Sequence, residues 1–175
     1  MKTLSHFLLL GLLLAAGCHK KDADPAPTKT ALLTTHDWKD TSESLVINGY
    51  EGTRTISNTY IYTFAADGKL MGASNGTTSQ LATWQLTNND TQLVLTPTNG
   101  GSVITYQLFD LSASKCSFGD AYDEATVKQQ VAAGGSQPVP TLLLAAGKYT
   151  FPTNTPTFQP SQVTSLQLRH NLGPK

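Results

Sequence analysis

The chain has 175 residues, with 12 Lys and Arg against 12 Asp and Glu, so its formal net charge is zero. That balance, without a Lys/Arg cluster or interleaved basic and aromatic residues, argues against a nucleic-acid partner. A hydrophobic content of 39% with 14% charged residues suits a globular fold; abundant Thr, Ser, Asn and Gln beside scarce Glu favour exposed strand faces over helices.

Met1-Lys2 begins a short basic region, and Phe7 to Ala16 form a nearly unbroken apolar run. A spanning helix needs about 20 apolar residues, so this run is too short to cross a bilayer. Basic start, apolar middle and small-residue end are the layout of a cleaved secretory signal. Ala15-Ala16-Gly17-Cys18 resembles the lipobox of bacterial lipoproteins, with Ala15 where most carry Leu. The resemblance implies a signal peptide over 1–17, cleavage before Cys18, and acylation of Cys18 as the anchor to a lipid membrane. Several acyl chains hold stably where one binds only reversibly. Residues 18–31 read as a flexible tether, because charge and two prolines favour an extended, solvated chain. Lys21-Asp22-Ala23-Asp24 resembles the export signal of Bacteroidetes surface lipoproteins. The implied location is the outer membrane of a bacterial envelope, on its periplasmic or its surface face.

Residues 32–172 suit a single domain. From Leu32 to Phe118 the pattern is a succession of short strands. Trp38 and Leu45-Val46-Ile47 fall in a first strand ending at Asn48-Gly49. Tyr60, Tyr62 and Phe64 alternate with Ile61 and Thr63, a period of two, and Asp67-Gly68 supplies a tight turn before Lys69 to Ser74. Ala82, Trp84 and Leu86 alternate next, then Asn88-Asn89-Asp90-Thr91 turns the chain. Leu93 and Leu95 precede Pro97, and Ile104, Tyr106 and Leu108 share one face of a longer strand. Turns recurring at roughly ten-residue intervals predict an all-β antiparallel meander of about eight strands, as a barrel or a β-sandwich. One short helix is expected near 121–133, capped by Asp120 and closed by Gly134-Gly135. Thr141 to Phe151 reads as another strand, and Val163 to His170 as the last.

A family resemblance rests on four segments in order: Leu32 to Lys39; Tyr62 to Lys69; Thr83-Trp84-Gln85-Leu86 with Thr91 to Thr96; and Tyr106 to Ser112. Together they resemble the lipocalin-like lipoproteins common in Bacteroidetes, over residues 32–118. Lipocalins proper carry Gly-x-Trp on the first strand; His36 stands at that Gly. The resemblance implies a meander closed, or nearly closed, into a small lipocalin-like barrel.

Residue patterns for chemistry are sparse. Gly72-Ala73-Ser74-Asn75-Gly76 matches the Gly-x-Ser-x-Gly of hydrolase elbows, which needs a strand before it and a helix after. A strand follows here instead, so the pattern is read as a hairpin turn and no enzyme is expected. His36 and His170, with Asp37, lack Cys or Glu at ligand spacing and read as exposed strand residues. Asp120, Asp123 and Glu124 lack a calcium loop, so neither metal nor cofactor is expected. Asn75-Gly76-Thr77 and Asn89-Asp90-Thr91 match glycosylation sequons, which carry little weight given the bacterial origin that the resemblances imply. Once Cys18 is lipidated, Cys116 has no partner within the chain and reads as a buried core residue.

The remaining feature is aromatic: Tyr60, Tyr62, Phe64, Trp84 and Tyr106. In a barrel of about eight strands these rings either fill the interior or line room for one small ligand. The expected function is non-enzymatic binding of a small apolar ligand or envelope component. The alternative is a filled barrel that serves as a structural module or docks an envelope protein.

Overall fold

The computed structural model describes residues 25–57 and 60–175. The signal peptide, Cys18 and the first half of the tether lie outside these residues. In chain order the elements are α1 (Lys29–Thr35), β1 (Asp37–Ile47), β2 (Tyr50–Thr55), β3 (Ile61–Phe64), β4 (Lys69–Ser74), β5 (Thr77–Thr87) and β6 (Gln92–Pro97). They continue with β7 (Ile104–Leu111), β8 (Cys116–Tyr122), α2 (Glu124–Ala133), α3 (Pro138–Ala145) and β9 (Leu166–Pro174).

Every strand pairs antiparallel with its neighbour from β3 through β9, and β9 then pairs along most of β1, from Trp38↔Pro174 to Ile47↔Leu166. That last pairing closes an eight-stranded barrel and sets the sandwich aside. β2 is an extra strand on the outer half of β1, while β3 takes the other half. The tail after residue 118 is therefore part of the barrel, since β9 lies between β8 and β1.

Turn chemistry explains the meander. Asn48-Gly49 and Asn75-Gly76 both have positive φ at each position, the geometry whose twist matches a two-residue hairpin. Asn88, Asn89 and Asp90 are three consecutive left-handed residues, tolerated because their short polar side chains lower the cost of that region. Lys29 reaches this turn from α1, donating from Nζ to the Asp90 carbonyl at 2.8 Å.

Three bulges break the period of two. One extra residue in β1, Thr41, shifts the register against β9 between Asp40 and Ser42. Trp38 and Asp40 face inward before it; Glu43, Leu45 and Ile47 continue the inward row after it, opposite His170, Leu168 and Leu166. Leu81 in β5 and Phe109 in β7 are the other extra residues. Bulges of this kind bend a strand and let a sheet curl into a barrel.

The interior is layered. At one end Leu33 of α1 packs with Trp38, Phe64, Leu70, Trp84, Leu93, Cys116 and Leu172. The Trp38 indole N–H donates to the Leu33 carbonyl at 2.9 Å and ties α1 to this end. At the other end Leu45, Ile47 and Leu166 meet Val127 of α2, Val139 of α3, Tyr149 and Val163. Full burial of each such aliphatic contributes about 1.5–3 kcal/mol. Between the two apolar clusters lies a belt of polar side chains.

Four expectations need correction. Leu32 to Thr35 is helical rather than a strand start, because Thr28 accepts from the Ala31 N–H and Leu33 plugs the barrel end. Thr141 to Ala145 belongs to α3 rather than a strand. Pro138 suits a first helical turn, and further along the expected strand Thr150 makes an isolated antiparallel bridge to Thr53 of β2. The cap of α2 is Asp123, which accepts from the Thr126 N–H at 2.9 Å; Asp120 stays in β8 opposite Leu168. The last strand also begins later than expected, at Leu166, and runs to Pro174.

Candidate functional site

The inward row of β9 carries Leu166, Leu168, His170 and Leu172, and β8 sets Phe118 beside His170 and Asp120 beside Leu168. β3 contributes Tyr62 and Phe64, β7 contributes Tyr106, and β1 contributes Asp40. Around these side chains the barrel leaves a chamber of about 150 Å³, floored by Leu70 and Leu95. Of the five aromatics expected to line a pocket, Tyr62, Phe64 and Tyr106 do so. Trp84 sits edge-on to Phe64, ring centres 5.5 Å apart, and donates its indole N–H to the Ala65 carbonyl at 3.0 Å. It supports the wall rather than lining it. Tyr60 packs on Tyr62 at 5.1 Å and lies over Gly72, where any Cβ would stand 2.6 Å from its ring.

Asp40, Phe118 and His170 were not named among the expected lining residues. The signal was present in the last strand. Leu166, Leu168 and Leu172 alternate on one face, and His170 occupies the remaining place in that row. His170 is thus not an exposed strand residue. Its ring lies 5.8 Å from Phe118 and 6.2 Å from Tyr106, because closure of the barrel places β9 between β8 and β1. His36 lies outside the strands at the end of α1, edge-on to Trp38 at 5.8 Å.

The belt is acidic. Tyr62 donates its hydroxyl to Asp40 Oδ2 at 3.2 Å. Burial first, and then the Asp40 charge, hold that phenol well above the ordinary tyrosine range, so it stays protonated. Burial and the Asp120 charge raise Tyr106 as well. Desolvation raises Asp120 itself, and His170 opposes that shift. One layer further up, Glu43 is buried and held by Arg54, whose Nη2 and Nε lie 2.8 and 3.1 Å from Oε1. Tyr149 donates its hydroxyl to the same oxygen, and the Arg54 guanidinium lies 5.2 Å from the Tyr149 ring centre. His170 Nδ1 is 3.9 Å from Glu43 Oε2.

A second hollow lies at the helix-covered mouth. Ile47, Val131, Pro140, Leu143, Leu144 and Phe158 enclose most of about 400 Å³ of apolar space. Gln130 of α2 accepts from the Val139 N–H at 3.0 Å and fixes the two helices that form its roof. Leu144 at its rim is 88% exposed. These residues were also missed, since Thr141-Leu142-Leu143-Leu144 was read as a strand. Leu45, Glu43 and Tyr149 are all buried, and none of them lines either space.

The remaining candidates fall into place. Ser74 ends β4 and Asn75-Gly76 turn directly into β5, so the Gly-x-Ser-x-Gly stretch is a hairpin. Among the described residues no group of three or more His, Cys, Asp or Glu side chains could hold a metal ion, and no helix is long and apolar enough to cross a membrane. Cys116 is fully buried and free, and burial pushes its thiol up to about 12. Compared with known proteins, the chain matches no family model, no curated protein and no solved structure.

Proposed function

We propose that this chain is a non-enzymatic envelope lipoprotein, held at the outer membrane by acylated Cys18, whose barrel domain carries a small apolar ligand. The observation that carries the reading is the apolar hollow of about 400 Å³ beneath α2 and α3. Ligand pockets span about 300–1,000 Å³ and are mostly hydrophobic, and this one has an unusually exposed leucine at its rim. A second reading, docking of an envelope protein, is favoured by Val103 and Ile104, exposed side by side where β7 begins.

The test uses the full chain purified without denaturant. Native mass spectrometry and titration with a fluorescent fatty acid report on the hollow. The expected result is one molecule bound per chain, weakened at least about tenfold by Leu144→Asp, which replaces a side chain not needed for folding. No uptake of the probe, with a bare protein mass, would overturn the apolar-ligand reading in favour of docking. The anchor is tested separately: Cys18→Ser is expected to release the protein from membranes, and unchanged membrane fractionation would refute acylation there.

A further inference from the structure

The inward row of β9 is closed at its ends and open in the middle. Leu166 and Leu172 are 0% and 2% exposed, whereas His170 between them keeps 30% of its side chain accessible. The space it adjoins is the chamber of about 150 Å³, walled by Tyr62, Phe64, Tyr106 and Phe118. Two polar side chains on this wall lack a hydrogen-bond partner among the described residues. The Tyr106 hydroxyl makes no such bond, although burial and the Asp120 charge both act on it. His170 makes none either: Glu43 Oε2 is 3.9 Å from its Nδ1, beyond bonding range. Partly buried polar groups of this kind are costly unless water or a ligand meets them.

We propose that this chamber is a binding site for a small neutral aromatic of the phenol class, one six-membered ring carrying one hydroxyl. Volume sets the ring count, because a cavity of about 150 Å³ lined by aliphatic and aromatic side chains holds a single benzene ring. The wall sets the shape. Tyr106, Phe118 and His170 meet one another at tilted or edge-on angles, with ring centres 5.3, 5.8 and 6.2 Å apart. They offer a further ring the offset and edge-on contacts that aromatic pairs prefer. A hydroxyl matches the two unpaired groups, since a phenolic oxygen donates one hydrogen bond and accepts another, and Tyr106 and an imidazole can each do either. The Asp40, Glu43 and Asp120 carboxyl groups around the chamber disfavour an anion. A phenol, which ionises near about pH 10, is uncharged at neutral pH. The apolar hollow shares no lining residue with this chamber, so the site goes beyond the apolar-ligand reading and stands without it.

The test titrates phenol, toluene and cyclohexanol into the full chain in mild detergent, following heat and aromatic NMR signals against a detergent-only control. Toluene keeps the ring and lacks the hydroxyl; cyclohexanol does the reverse. Phenol is expected to bind one per chain and at least about fivefold more tightly than either. It should shift Tyr106, Phe118 and His170 and leave Phe158 of the hollow unmoved. Either analogue binding as tightly as phenol, shifts confined to Phe158, or no saturable shift at concentrations of tens of millimolar, overturns the proposal. Tyr106→Phe removes only the hydroxyl and is expected to weaken phenol several-fold with toluene and fatty-acid binding unchanged; a folded variant with its phenol preference intact refutes the site. Where that variant fails to fold, His170→Gln, which loses a ring, is expected to weaken phenol and toluene alike, and unchanged affinity for both refutes it. Leu144→Asp in the hollow is expected to leave phenol binding as it was, so the two readings fail separately; a loss there would place phenol in the hollow and overturn the chamber site.

Discussion

Cys116 shows how one buried group can set the alkaline limit of the fold. Its thiol is pushed up to about 12 by burial and then by the Asp110 charge, against about 8.5 for an unperturbed cysteine. A pKa raised on folding gives stability that is complete below the unfolded value and lost as pH climbs toward the folded one. Tyr62 and Tyr149 are raised for related reasons and act in the same direction at higher pH. The midpoint of thermal unfolding is therefore expected to fall steeply between about pH 9 and 12. Cys116→Val should delay the onset of that fall, and an unchanged profile would show that the thiol does not contribute. A thiol reagent should label Cys116 only after denaturation, and rapid labelling of the native protein would contradict its burial. Gly119 poses a steric constraint instead. A Cβ there would stand 1.9 Å from the Leu168 carbonyl oxygen, a backbone atom that cannot step aside. Gly119→Ala is expected to cost about 1–3 kcal/mol or more in denaturant unfolding, and a neutral result would mean that β8 and β9 shift apart easily.

Among the elements, α2 has the clearest start signal, because Asp123 accepts from the Thr126 N–H and its carboxyl is lowered by that bond. Asp123→Ala is expected to cost about 1 kcal/mol of stability, whereas Asp120→Ala should leave the helix intact; the reverse order would restore the cap to Asp120. The strands were legible wherever a turn had its own chemistry. Asn48-Gly49, Asn75-Gly76 and the Asn88 to Asp90 run mark reversals that hold in the structure. Alternation also placed Tyr62 and Phe64 on the inner face. What could not be read was helix against strand in short apolar runs. Leu32-Leu33 and Leu142-Leu143-Leu144 carry no period of their own, and the decision came from tertiary packing, with Leu33 in the cluster at one barrel end and Val139 of α3 in the cluster at the other. The acidic belt was hidden for a different reason. Thr41 shifts the inward row of β1 by one residue, so strict alternation from Trp38 and Asp40 would have turned Glu43 outward.

At the scale of the whole molecule, the barrel is closed by its first and last strands. The Lys175 N–H donates to the Asp37 carbonyl at 2.9 Å, and Thr41 donates its hydroxyl to the Asn171 carbonyl across a sequence separation of 130. A chain truncated after Gly119 loses the end of β8 with β9 and the roof helices, so its cooperative unfolding transition is expected to vanish in circular dichroism. A preserved transition would show that β1 to β7 with the start of β8 stand alone. The same closure has a kinetic side. Pairings between residues so distant in sequence come late, because loop entropy must be overcome before they form. Until β9 docks, β1 and β8 remain as two open edges able to pair with other chains. The molecule is thus most vulnerable to aggregation during the interval before its last strand arrives, and a chaperone that shields those edges would serve it better than one that binds the finished barrel.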